Sequence, residues 1–185
     1  EEIDGFPLIL CGHRNGTAGL LMPVSGKIST DQKRWQSYYD HDYEVCTPYY
    51  YSVWLEDPDV SLEFTVAEKS SFYQIAWNKN EQKHLMMAVT TRGSFNIRDN
   101  NTVEGYEVYQ NKVKVFFYIR TDKSFASDSI WVENSVAAQG IARLEGVRPS
   151  LSLTFKVEAK EKVGVKMGIS FVDAEQARRN LETEI

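Results

Sequence analysis

Val60-Ser61-Leu62-Glu63-Phe64-Thr65-Val66 is the stretch that decides the fold. Its apolar side chains fall on every second residue. Successive side chains on a β-strand point to opposite faces, so this segment turns one face to a core and the other to water. The same period recurs on both sides of it. Tyr73, Ile75 and Trp77 continue it after a break at Ser70-Ser71. Val113, Val115, Phe117 and Ile119 repeat it, as do Leu151, Leu153, Phe155 and Val157, and then Val163, Val165, Met167 and Ile169. Turn-forming residues punctuate these runs at Asp57-Pro58-Asp59, Asn78-Lys79-Asn80, Asp99-Asn100-Asn101 and Glu145-Gly146. Many half-buried strands separated by turns predict an all-β fold of antiparallel sheets stacked face to face.

Only the end of the chain reads as helix. Asp173 is a good N-cap, and Gln176 completes the spacing of a capping box. Ala174, Ala177, Leu181 and Ile185 then share one face, and Glu175/Arg179 and Arg178/Glu182 are opposite charges one turn apart. The expected organisation is a sandwich over 1–172 and a short helix over 173–185.

At 185 residues, 42% hydrophobic and 25% charged, the chain can bury a core of its own. A net charge of -5 with scattered basic residues argues against nucleic acid, which needs a clustered basic face. No apolar run reaches the length of a membrane span. The chain opens Glu1-Glu2-Ile3-Asp4 with no visible leader, so any leader is expected to have been removed. Cys11 and Cys46 leave two readings open, one bridge or two buried thiols, with the thiols favoured by residue type.

Catalytic motifs are absent. Gly12-His13-Arg14-Asn15-Gly16 matches no phosphate loop, and no GxSxG elbow exists. His41-Asp42-Tyr43-Glu44 holds three potential metal ligands, but on a strand His41 and Glu44 would face opposite ways. Glu56, Asp57, Asp59 and Glu63 are acids that a glycosidase could pair, although a turn explains Asp57 and Asp59 equally. Aromatics are the denser signal. Trp35, Tyr38, Tyr39, Tyr43, Tyr49, Tyr50, Tyr51 and Trp54 crowd together around His41, Asp42 and Glu44. Such rings can stack on the apolar faces of sugars, or they can simply build a corner of the core.

The same residues carry a family resemblance. Tyr39-Asp40-His41-Asp42-Tyr43-Glu44, followed by Pro48-Tyr49-Tyr50-Tyr51-Ser52-Val53-Trp54-Leu55-Glu56-Asp57, resembles the N-terminal domain of family 92 glycoside hydrolases. Leu20-Leu21-Met22-Pro23-Val24-Ser25-Gly26, Leu62 to Thr65 and Val103-Glu104-Gly105-Tyr106 resemble further segments in order. The end, Val165 to Val172 and Glu175 to Ile185, is similar too. The resemblance implies a supersandwich of the galactose-mutarotase-like kind. It also implies calcium-dependent exo-α-mannosidases whose catalytic residues and calcium ligands lie mostly in a following helical barrel. The C-terminal helix would then be a linker towards that barrel.

Departures accompany it. The family's first sandwich segment has no counterpart in Glu1 to Ala18, its Arg after Gly-Tyr is Glu107, and its Gly before Tyr-Tyr is Tyr49. No catalytic residue and no cofactor are therefore expected on this chain. The expected role is a non-catalytic domain that packs on a helical-barrel catalytic domain, in cis or in trans, and helps shape a site for mannose-containing glycans. His41, Glu44, Trp35 and Trp54 are its candidate substrate-binding residues. The resemblance implies a periplasmic or secreted location. A free-standing degenerate interaction or carbohydrate-binding module is the alternative.

Overall fold

The computed structural model describes residues 1–10, 17–110, 112–133 and 135–185, with backbone alone for 9–10. The chain opens with β1 (Glu2–Ile3), β2 (Ile9–Leu10), β3 (Thr17–Ala18) and β4 (Leu20–Ser25). A 3-10 turn at Gln32–Trp35 leads to β5 (Ser37–Tyr38), and a second at His41–Tyr43 leads to β6 (Val45–Cys46). Then come β7 (Tyr51–Leu55), β8 (Val60–Val66), β9 (Ser70–Trp77), β10 (Lys83–Ala88), β11 (Arg92–Ile97) and β12 (Thr102–Tyr109). The last strands are β13 (Val113–Thr121), β14 (Phe125–Val132), β15 (Arg143–Val147), β16 (Pro149–Phe155) and β17 (Lys162–Ser170), before the helix α1 (Ala174–Glu184).

Two antiparallel sheets form the sandwich. The larger has the order β15-β11-β12-β13-β17-β9-β8-β7-β6, and the smaller β14-β16-β10-β4. Register explains the alternation. Val53, Leu62, Ile75 and Val163 face one another across β7, β8, β9 and β17, and each is buried. Leu85 and Leu153 pair across the smaller sheet and are fully buried beneath them. The sheets meet where Trp77 packs on Phe155 with centroids 6.1 Å apart. Phe64 lies between Tyr51 and Tyr73, at 5.3 and 5.1 Å, in an aromatic ladder across the larger sheet. Burial pushes the Tyr73 hydroxyl up to about 12.

Three turns lie where their residues predict: Asp57-Pro58-Asp59, Asn78-Lys79-Asn80 and Asp99-Asn100-Asn101 all fall between strands. Glu145-Gly146 does not. It lies inside β15, an edge strand, where Gly146 pairs with Gly93 and Glu145 with Ser94. Ladder hydrogen bonds to β11 override the local turn preference. Arg148 alone then separates β15 from β16, which belong to different sheets. It takes φ 48° there, and its amide donates to the Thr91 carbonyl.

The cysteine reading needs a correction. Cys46 is exposed and not buried, because β6 is the last, two-residue strand of the larger sheet and no further strand pairs with its far edge among the described residues. Cys11, and with it the pairing question, lies outside the described residues. Among the described residues no helix is long and apolar enough to cross a membrane.

The helix is laid on the outer face of the larger sheet. Asp173 accepts the Gln176 amide at 2.6 Å as the cap, while the Gln176 side chain donates onward to Asn180 at 2.8 Å. Ala177 and Leu181 bury against Tyr118. Asn180 donates to the Ile169 carbonyl at 2.8 Å, and Glu184 accepts from the Lys69 amide at 3.0 Å and from the Ser70 hydroxyl. Gly168 lets the helix come this close, since it carries no Cβ to meet the helix backbone. Ile185, expected on the buried face, is exposed at the helix end.

Candidate functional site

The site is built on the 3-10 turn at His41–Tyr43. Asp40 caps it, accepting the Asp42 amide at 2.9 Å. A strand would have separated His41 from Glu44. In a 3-10 turn, residues three apart lie one above the other, and His41 Nδ1 sits 2.6 Å from Glu44 Oε2. Sequence alternation therefore placed these two side chains wrongly, and the Asp40 cap is the signal that could have corrected it.

Glu44 is also tied from the other side, because the Tyr51 hydroxyl donates to its Oε1 at 2.6 Å. His41 Nε2 lies 3.1 Å from a Glu1 carboxylate oxygen. The Tyr39 ring packs edge-on to His41 at 5.1 Å. The electrostatics follow from these contacts. Hydrogen bonds that His41 donates to Glu44 and then to Glu1 hold its pKa above the usual histidine value. The Tyr51 hydroxyl, and then His41, hold the Glu44 carboxyl below the usual range. Burial, reinforced by Glu44, pushes the Tyr51 hydroxyl well above its ordinary value.

The arrangement is a hydrogen-bonded chain: the charged form of His41 is favoured by its two carboxylate neighbours, and the ionised form of Glu44 by its two donors. More than half of the His41 side chain remains exposed, with 55% of its area open, so it can meet a ligand hydroxyl.

The other candidates divide. Trp35, expected as a ring for sugar stacking, is instead core. It is 2% exposed, stands edge-on to Trp131 at 6.3 Å and donates to the Ser29 carbonyl. The cap at Asp31 turns the Gln32–Trp35 segment so that its ring covers the smaller sheet. Trp54 is exposed on the outer face of β7. Its Nε1 donates to Asp59 at 3.0 Å, and Tyr43 meets it edge-on at 6.2 Å. The 3-10 turn thus sends its side chains two ways: His41 and Glu44 go with Tyr51 on the core-facing side of β7, and Tyr43 goes with Trp54 on its outer face.

Three of the four acids of the glycosidase reading are occupied structurally, and the fourth, Glu56, is exposed beside them in the turn. Asp57 accepts the Tyr38 amide, Asp59 accepts from Trp54 and Asn78, and Glu63 accepts from Tyr50 and Lys162. The described residues gather no cluster of three or more His, Cys, Asp or Glu side chains placed to hold a metal ion.

Two features escaped the sequence reading. Tyr51 orients Glu44, and its strand position alone gave no sign of that. Glu107, noted only as a departure, is 1% exposed and accepts from the Gly19 amide, the Thr90 amide and hydroxyl, and the Thr91 hydroxyl. Adjacent Thr90 and Thr91 hydroxyls were the available clue.

Comparison with known proteins agrees with the architecture. The profile of the Glycosyl hydrolase family 92 N-terminal domain matches residues 2–170. No curated protein matches the chain. Among solved structures, a family GH92 inverting mannosidase from Bacteroides thetaiotaomicron superimposes with a TM-score of 0.85 at 18% identity, covering 93% of this chain and 24% of that one. A family GH92 α-mannosidase from the same organism gives 0.85 at 20% identity, covering 98% and 28%. A further family GH92 glycosyl hydrolase gives 0.82 at 22% identity, covering 96% and 27%. The chain spans about a quarter of the length of these structures. With its two-sheet sandwich, its terminal helix and a profile match over nearly its whole length, the chain belongs to the glycosyl hydrolase family 92 N-terminal domain family.

Proposed function

We propose that this chain serves as the non-catalytic N-terminal sandwich of an α-mannosidase, packing on a helical catalytic domain and helping to shape a carbohydrate site. One observation carries the reading: the family match fills residues 2–170, while the mannosidase structures it superimposes on are about four times as long. The structural ties of Asp57, Asp59 and Glu63 support the non-catalytic part. The exposed His41 edge, Glu44 and Trp54 are the side chains that would meet a mannose-containing glycan. Calcium and the catalytic acids would come with the second domain, in a periplasmic or secreted enzyme.

The decisive test is the natural reading frame beyond Ile185. Continuation into a helical region supports the proposal, and a stop codon favours a free-standing module. On the protein itself, the chain alone should not turn over an aryl α-mannoside, and turnover would overturn the non-catalytic reading. Titration calorimetry with mannose and mannobiose addresses the glycan. No heat with either sugar at millimolar protein removes that part.

A further inference from the structure

We infer that the outer face of the larger sheet carries a subsite for one ring of an uncharged saccharide, in a trough between Trp54 and Lys162. The trough follows from register. Trp54, Ser61, Ala76 and Lys162 oppose one another in one row across β7, β8, β9 and β17. The row reads large, small, small, large, so two short side chains form a floor between two tall walls. Neighbouring strands lie about 4.8 Å apart, which sets the backbones of the two wall strands roughly 14 Å from each other, and the Lys162 side chain leans back across β9 to reach Glu63 on β8. The groove encloses about 380 Å³, within the range of small-molecule sites.

Its walls have complementary chemistry. On one side the Trp54 ring is fixed at both ends, by its Nε1 bond to Asp59 and by the edge of Tyr43. It is the one surface tryptophan of four, since Trp35, Trp77 and Trp131 are each at most 2% exposed. A rigid, exposed indole is the usual platform for the C–H face of a sugar ring. Along the trough, Lys162 joins a network of polar groups from the next row, on β8 and β9. Lys162 Nζ donates to Glu63 and, at 3.0 Å, to Gln74, and the Tyr50 hydroxyl donates to Glu63 at 2.7 Å. An ammonium, a carboxylate and an amide at hydrogen-bond spacing supply the donors and acceptors that adjacent hydroxyls require.

The charge balance selects the ligand class. Lys162 and Glu63 neutralise each other, and Asp59 behind Trp54 is faced by Lys79 and Lys160, so the trough presents no unopposed charge to a phosphate, a uronate or an amine. Desolvating either group against a ligand of like charge is unfavourable, whereas hydroxyls can bond to both. This inference deepens the carbohydrate part of the reading above and rests on it.

Acrylamide quenching of tryptophan fluorescence tests it, because Trp54 is the accessible reporter. The purified chain is titrated with methyl α-mannoside, maltose, cellobiose and glucuronate to tens of millimolar. At least one neutral sugar should shield Trp54, and glucuronate should shield it several-fold less well. Trp54→Ala should weaken sugar binding, followed by nuclear magnetic resonance of the sugar, about tenfold. Glu63→Gln, which leaves the Lys162 charge unopposed, should improve glucuronate several-fold. Four outcomes overturn the inference. These are no shielding by any sugar, shielding by glucuronate as strong as by neutral sugars, undiminished binding in a folded Trp54→Ala chain, and shielding that grows with protein concentration in the absence of sugar. Calorimetric heat with mannose but no Trp54 shielding removes the trough alone. Shielding by another neutral sugar, with no heat from mannose, removes mannose alone.

Discussion

Gly168 lies directly under the carbonyl oxygen of Ala177, and a methyl group built on Gly168 would stand 2.2 Å from that oxygen. The contact is backbone to backbone, so no side chain can swing aside. Gly168→Ala should lift α1 from β17, at about 2 kcal/mol by the usual scale of overpacking. A melt followed by circular dichroism should show a Tm about 6 °C lower. Trypsin should also cut faster at Arg178 and Arg179. An unchanged melt with unchanged cleavage would show that the helix docks elsewhere.

Glu107 gathers backbone and hydroxyl donors from Gly19, Thr90 and Thr91 in a buried setting. Glu107→Ala strands those donors, and the expected loss is about 3 kcal/mol in a urea titration. Glu107→Gln keeps an acceptor oxygen and should lose less. Equal losses for the two substitutions would mean that packing, and not hydrogen bonding, sets the effect.

The His41–Glu44 tie should depend on pH at both ends. The His41 pKa is raised above 6.5, so its contribution is complete below that value and fades as the pH rises through the raised pKa. The Glu44 pKa is lowered below 4.5, so its contribution is complete above that value and fades as the pH falls through the lowered pKa. The Tm difference between the native chain and His41→Ala should therefore be largest between pH 4.5 and 6.5 and shrink on either side. A flat difference from acid to mildly alkaline pH would dissolve the pairing.

Cys46, exposed on the edge strand β6, should react promptly with a disulfide reagent in the folded protein. Cys46→Ser should remove the fast phase. If the native chain shows no fast thiol, Cys46 is bridged after all.

The sequence displays those strands that bury one face. β8 and β17 show their alternation plainly, because each has the core on one side and water or the helix on the other. β10 shows none. All six of its residues are buried, so Lys83-His84-Leu85-Met86-Met87-Ala88 lacks the polar beat that marks a strand. His84 survives there because its ring bonds to the Gly26 carbonyl at 2.9 Å and to Thr154 at 3.0 Å, while burial lowers its pKa. The site was legible in residue type and not in geometry. Counting aromatics could not tell Trp35, which seals the core, from Trp54, which faces outward. The trough was hidden because its floor is made by Ser61 and Ala76, residues that become meaningful only once strands far apart in sequence are placed in register.

The smaller sheet also governs how the chain can fold. None of its neighbouring strands is joined by a hairpin: β4 must find β10, and β10 must find β16, across long stretches of chain. The larger sheet instead contains the meanders β6-β7-β8-β9 and β11-β12-β13, whose pairings close short loops. Local pairings form early, and distant ones wait until chain entropy has been overcome. The meanders are thus the natural nucleus, and β10, the strand least visible in the sequence, can be stitched in only when both its partners have arrived.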